Sequence, residues 1–232
     1  MSATDRCALV IALSFGIAVA AGGGLGRAAR LPTGSRLATI DQSDLPANFT
    51  SAGARFGVAW SLTSLDPAAQ TFVAGRTGSL VRVLLPLLAC NGVDAGTGNP
   101  NVMKPGVCQA DVPQVDVKIT ALTGGGIEGH VIADATNVTP PVAQGASSAT
   151  AAAISFTPGA PVVRGKAYAI VVTPLADWPP ASYQWSAFKT DAYRRGSALW
   201  EYQRSGWVPV RSAPFTKTGP FDFGFATYVA SP

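Results

Sequence analysis

Gln114-Val-Asp-Val-Lys-Ile-Thr120 is the stretch on which the fold class turns. Val115, Val117 and Ile119 alternate with Asp116, Lys118 and Thr120, a period of two that places one side chain set in a core and the other in water. A helix would scatter these same residues around its circumference. Working outward, Ser79 to Leu85 repeats the pattern, with Val81, Val83 and Leu85 expected inward and Arg82 outward. Near the C-terminus Phe221, Phe223 and Phe225 alternate with Asp222, Gly224 and Ala226, which predicts an aromatic face on a terminal strand. In Lys166 to Thr173 both alternating sets are apolar, so this strand is expected to be central and covered on both sides. Further strands are expected over 56–62, 70–74, 130–134, 151–157, 182–188, 198–202 and 207–210.

Gly and Pro punctuate these runs, as in 74–78, 158–161 and Arg164-Gly165. Many short strands joined by such turns predict an all-β fold, an antiparallel β-sandwich or jelly roll, over residues 51–232. The Ala-rich stretch 146–153 favours helix by propensity, but Pro140, Pro141 and Pro158 confine it to a strand entry or a short helical turn. Residues 30–50 read as a flexible N-terminal segment.

Composition fits this picture. Only 13% of the 232 residues are charged and 47% are hydrophobic, about half the usual charge of a globular domain. That balance excludes intrinsic disorder. The formal net charge of +4 forms no basic stripe, so no nucleic-acid partner is indicated.

Residues 1–29 read as a cleavable signal peptide. Arg6 lies in a polar head, and the run from Ala8 to Ala21 is apolar apart from Ser14. That length suits a secretory signal better than the roughly 20 residues of a membrane span. Ala18-Val19-Ala20 offers a small-x-small cleavage pattern, with 26–29 as later options. The chain is therefore expected to be secreted, extracellular or in the cell envelope, with no membrane span once processed. Cleavage leaves two cysteines, Cys90 and Cys108, in a compartment where disulfides persist. A bridge closing the 17 residues between them would contribute about 3 kcal/mol in the chain-entropy account. Two buried free thiols are the alternative.

Gln70-Thr-Phe-Val-Ala-Gly-Arg-Thr-Gly-Ser-Leu80 resembles the opening motif of a β-sandwich module common in secreted bacterial proteins. The resemblance continues through 114–120, Ile154-Ser-Phe156, Gly165 to Ile170 and Tyr183-Gln-Trp185. It closes on Phe221-Asp-Phe-Gly-Phe-Ala-Thr-Tyr228, so it covers roughly residues 58–229. It implies a jelly roll of the carbohydrate-binding type, and it brings no catalytic residues with it.

The richest concentration of binding chemistry lies between residues 178 and 207, where four of the five Trp fall, with Tyr183, Tyr193, Tyr202 and Phe188 among them. Aromatic faces stack on the apolar faces of sugar rings, and Arg donates to hydroxyls. Trp178, Tyr193, Arg194, Arg195, Trp200 and Tyr202 are the candidate ligand-binding residues. Trp178 and Tyr193 are expected to be exposed because they sit in connectors, whereas strand-borne Trp185 and Trp200 also suit a core. The expected partner is a glycan or another cell-envelope component. Structural packing, with an adhesive role through protein contacts, is the competing reading.

Catalytic chemistry is not indicated. No Gly-x-Ser-x-Gly elbow surrounds a Ser that could serve the lone His130. Past the signal only Glu128 and Glu201 could supply Glu for paired-carboxylate hydrolysis. No cofactor is expected, although Asp94, Asp111, Asp177, Asp191 and Asp222, in or near loops, leave a structural Ca²⁺ open.

Overall fold

The computed structural model describes residues 37–45, 58–62, 64–90, 114–122, 126–127, 129–139, 150–175, 182–188, 193–201, 204–210 and 221–232. These residues form antiparallel strands in two sheets, with no α-helix among them. In chain order the strands are β1 (Thr39–Ser43), β2 (Val58–Leu62), β3 (Ala68–Val73), β4 (Gly78–Cys90), β5 (Val115–Ala121), β6 (His130–Val138) and β7 (Thr150–Val162). They continue with β8 (Ala167–Pro174), β9 (Ser182–Phe188), β10 (Ala198–Glu201), β11 (Trp207–Pro209), β12 (Asp222–Phe223) and β13 (Ala226–Ala230). Sheet I runs β1-β13-β4-β9-β12, with β7 on the free side of β4 and β2 against β9; sheet II runs β11-β10-β3-β8-β5-β6. No helix among the described residues is long and apolar enough to cross a membrane.

The core lies between the sheets. Sheet II contributes Phe72, Val115, Val117, Ile119, Tyr168, Ile170 and Val172; sheet I contributes Val83, Leu85, Leu87, Ile154, Trp185 and Val229. The alternation in 114–120 therefore gives β5 its buried face. The two apolar sets of the 166–173 run also have their reason. Ile170 and Val172 face sheet I, while Ala169 and Val171 belong to a second, outer cluster with Ala69 and Ile127. At the β7–β8 connection Lys166 N–H donates to Val163 C=O at 3.0 Å, and Gly165 sits at φ 80°. A Cβ there would strain the backbone, as the Arg164-Gly165 turn signal anticipates.

Three expectations are corrected. The segment 30–50 is not wholly a flexible lead-in: Thr39–Ser43 is a sheet strand paired with β13. Its sequence, Thr-Ile-Asp-Gln-Ser, has too few apolar residues to announce a strand, and tertiary bonds hold it. Gln42 N–H donates to Thr227 Oγ1 at 3.0 Å, and Asp41 Oδ2 accepts from Gly75 N–H at 3.1 Å. Second, Val81 does not point into the core with Val83 and Leu85. The register slips between Leu80 and Arg82 against both neighbouring strands, so Leu80 takes the buried place and Val81 is displaced. Third, 221–226 is not one alternating strand with Asp222 outward. The run breaks at Gly224, and Asp222 is buried with Phe221, Phe223 and Phe225. The expected signal segment lies outside the described residues, as does Cys108; Cys90 ends β4.

Candidate functional site

The two motifs that frame the resemblance meet in the core, where they act on each other. Gln70, on β3, is fully buried. Its Nε2 donates to Asp222 Oδ1 at 3.2 Å, and its Oε1 accepts from Phe223 N–H at 2.8 Å. The other carboxylate oxygen, Oδ2, accepts from Tyr193 N–H at 2.9 Å. The Tyr193 hydroxyl donates to Gln42 Oε1 at 3.0 Å and accepts from Val73 N–H at 3.2 Å. One polar chain thus ties β1, β3, the turn at Tyr193 and the closing segment together. Aromatic packing encloses it: Trp185 stacks on Phe223 with centroids 4.6 Å apart, and Tyr193 meets Phe225 edge-on at 5.0 Å. The Trp185 indole N–H donates to Gly224 C=O at 2.9 Å, satisfying the one polar atom of that side chain.

These contacts revise the candidate binding residues. Tyr193 is only 8% exposed and Trp200 only 5%, so both are core side chains and not a stacking platform. Tyr193 lies in a connector, yet the turn it opens, closed by Gly196 N–H on Tyr193 C=O, directs its ring inward where Asp222 and Phe225 receive it. Burial raises the Tyr193 phenol above its ordinary value, partly offset by the Val73 hydrogen bond and the charge of Arg195. Arg194 and Arg195 are exposed in the turn. Trp178 and Tyr202 lie outside the described residues. Of the acids considered for Ca²⁺, Asp222 commits its carboxylate to Tyr193 and Gln70; Asp94, Asp111, Asp177 and Asp191 lie outside the described residues.

What remains on the surface is a different aromatic. Trp207, on β11, is half-buried on the outer face of sheet II, directly across from Glu201 of β10. The alternation within β10 explains the placement: Ala198 and Trp200 enter the core, so Leu199 and Glu201 face out, and the antiparallel pairing of β11 with β10 sets Trp207 beside them. Arg204 and Gly206, just ahead of β11, take positive φ, 60° and 104°. From this hairpin a row crosses the whole sheet through Pro209, Leu199, Ala69, Val171, Lys118 and Asp134. At its centre Ala69 and Val171 are themselves buried, at 0% and 8% exposure. Leu199 and Trp207 pack against Ala69 and Val171, with Leu122 and Ile127 on the same cluster.

No protein-family model matches the chain, and no curated protein is detectably similar to it. The arrangement must therefore be interpreted from its own chemistry. Trp207 offers a ring face for an apolar sugar or side chain, Glu201 an acceptor, and Arg204, exposed, a donor. The residues that sequence reasoning named in β10 and the Tyr193 turn stand close in the chain to this hairpin, but burial removes the two aromatics among them. The signal that marks Trp207 was present in the alternation of 198–201, once its inward phase is known.

A cleft of about 180 Å³ opens between the edge strand β6 and β7, lined by Val131, Ile132, Ala133, Asp134, Thr157 and Pro158. Asp134 is the one ionisable side chain in that lining, so the cleft gathers no acid–base pair. His130 is exposed at the start of β6.

Proposed function

We propose that this chain is a secreted, non-catalytic binding module that recognises a glycan or another cell-surface polymer through the outer face of sheet II. The observation that carries this reading is the half-buried Trp207 opposite Glu201 on the outer face of sheet II. A pyranose ring placed on Trp207 would bury its apolar face against the indole and direct hydroxyls to Glu201 and Arg204. Export rests on the N-terminal sequence. The Cys90–Cys108 bridge belongs to the same reading, and N-terminal sequencing with mass analysis of the exported protein, with and without reductant, tests both.

The binding experiment is a titration of the purified protein with a panel of neutral polysaccharides, with and without Ca²⁺, following tryptophan fluorescence. A saturable change that Trp207→Ala abolishes while the fold is kept is the expected result. No response across the panel, or a response indifferent to Trp207→Ala, overturns the reading.

The second reading is a structural or adhesive envelope protein that contacts other proteins. It is favoured by exposed apolar side chains on strands, Ile40 at 54% and Val131 at 43%. Concentration-dependent self-assembly in light scattering would support it, and a monomer at all concentrations would count against it. A hydrolase is the third and least supported reading.

A further inference from the structure

Sheet I carries a second outer face, on the opposite side of the sandwich from Trp207. A cross-strand row runs Ile40, Tyr228, Arg82, Ser155 over β1, β13, β4 and β7. With strands spaced at 4.7–4.9 Å the row is roughly 14 Å long. Beside it lie Ala226, Leu84 and Ala153, again paired in register. Arg82 is the single charged side chain among these seven. Its guanidinium carbon stands 4.1 Å from the centroid of the Tyr228 ring. Its Nε is buried and has no hydrogen-bond acceptor.

A half-buried cation fixed by an aromatic ring, in the middle of an otherwise uncharged sheet face, is an arrangement completed by an anion. A guanidinium takes a carboxylate in a planar, two-pronged geometry that a surface Lys does not reproduce. The surroundings select among carboxylate carriers. In β4 and β13 the main-chain groups are engaged by strands on both sides, so an extended peptide finds no backbone edge to pair with. A sugar polymer needs none, because it brings flat apolar ring faces to Ile40, Leu84 and Ala153 and a hydroxyl partner to Ser155.

We infer that the Ile40–Tyr228–Arg82–Ser155 row is a binding site for an acidic polysaccharide, with a uronate carboxylate on Arg82. This site is separate from the Trp207 face and does not rest on it.

The test is calorimetric titration of the full exported chain with an oligogalacturonate and with its methyl ester, which removes the charge and keeps the sugar. The acid is expected to bind at least tenfold more tightly than the ester, from one charge-assisted contact. Arg82→Gln is expected to lose about that factor for the acid alone. Arg82→Lys, which keeps the charge, should retain part of the preference for acid over ester, and this variant holds the test open should Arg82→Gln fold poorly. Equal binding of acid and ester, no effect of Arg82→Gln in a folded variant, or equal binding of a polyglutamate overturns the inference. Its failure leaves the Trp207 titration with neutral glycans standing as a separate result.

Discussion

The clasp between Gln70 and Asp222 makes a quantitative prediction about what holds the sandwich closed. Both side chains are essentially sealed, at 0% and 1% exposure, so neither can exchange a lost partner for water. In Gln70→Leu, Phe223 N–H loses the acceptor it has at 2.8 Å, and Asp222 Oδ1 loses a donor at 3.2 Å. A buried N–H left without an acceptor costs about 1–3 kcal/mol, and a hydrogen bond to a charged group contributes about 1.5–3 kcal/mol. The expected loss is therefore about 3–5 kcal/mol, reduced somewhat by the greater apolarity of Leu. Asp222→Asn keeps the shape and an acceptor for Tyr193 N–H, but it sets an amide N–H₂ against the Gln70 amide or forces one of them to flip, at about 1–3 kcal/mol. For a domain of this size each kcal/mol lowers Tm by about 2–4 °C, so Gln70→Leu should melt roughly 6–20 °C below the parent. Urea unfolding followed by tryptophan fluorescence would report the same loss, since Trp185 stacks on Phe223. The double variant is decisive: neighbours sharing a hydrogen bond should show a coupling of about 0.5–3 kcal/mol. Single losses below about 0.5 kcal/mol, or strict additivity in the double variant, would refute the clasp.

Three further outcomes follow from the same structure. Trp200→Ala should destabilise the protein by about 3–5 kcal/mol in chemical unfolding, as for any large side chain cut from a core, whatever ligand is present. Tyr193→Phe leaves Val73 N–H without its hydroxyl acceptor and should cost about 1 kcal/mol at neutral pH. Because the folded-state pKa of Tyr193 is raised, the parent loses stability as pH climbs through the ordinary tyrosine range, where the unfolded chain ionises first; unfolding curves from pH 8 to 11 should show a smaller alkaline loss in Tyr193→Phe. Burial likewise raises Asp41, against the smaller opposing pull of the Gly75 N–H and Arg76. A raised carboxylate makes the folded state favour protonation, so this contribution to stability falls as pH rises from the usual Asp value upward. Asp41→Asn should accordingly be at least as stable as the parent at neutral pH, with that advantage shrinking on acidification; the opposite trend in pH-dependent melting would contradict the assignment.

The candidate site was less legible in the sequence than the strands were. Aromatic density between residues 178 and 207 pointed to the stretch that holds the proposed Trp207 face, yet among its described residues Tyr193 and Trp200 are core and Trp207 is half-buried at the surface. Density in sequence says nothing about which way a ring points. In β10 the phase of alternation is set by Ala198 and Trp200 pairing across to β3, a contact between segments more than a hundred residues apart. Arg82 was expected outward and is outward, but its pairing with Tyr228 depends on a bulge at Val81 in β4, which no local residue pattern announces.

The sequence by itself determined the strand class, because a period of two in 114–120 and Gly at a positive-φ turn are demands of local geometry. It also determined that the 166–173 strand would be covered on both faces, since no wet strand carries two apolar sets. Only the tertiary structure decided that Asp222 is an inward clasp and not a wet-face carboxylate. Burying a carboxylate is favourable only where donors already wait for it, and those donors, Gln70 and the Tyr193 N–H, come from distant parts of the chain. The same holds for β1, whose polar residues become a strand because β13 and Gly75 supply the partners that its own sequence lacks.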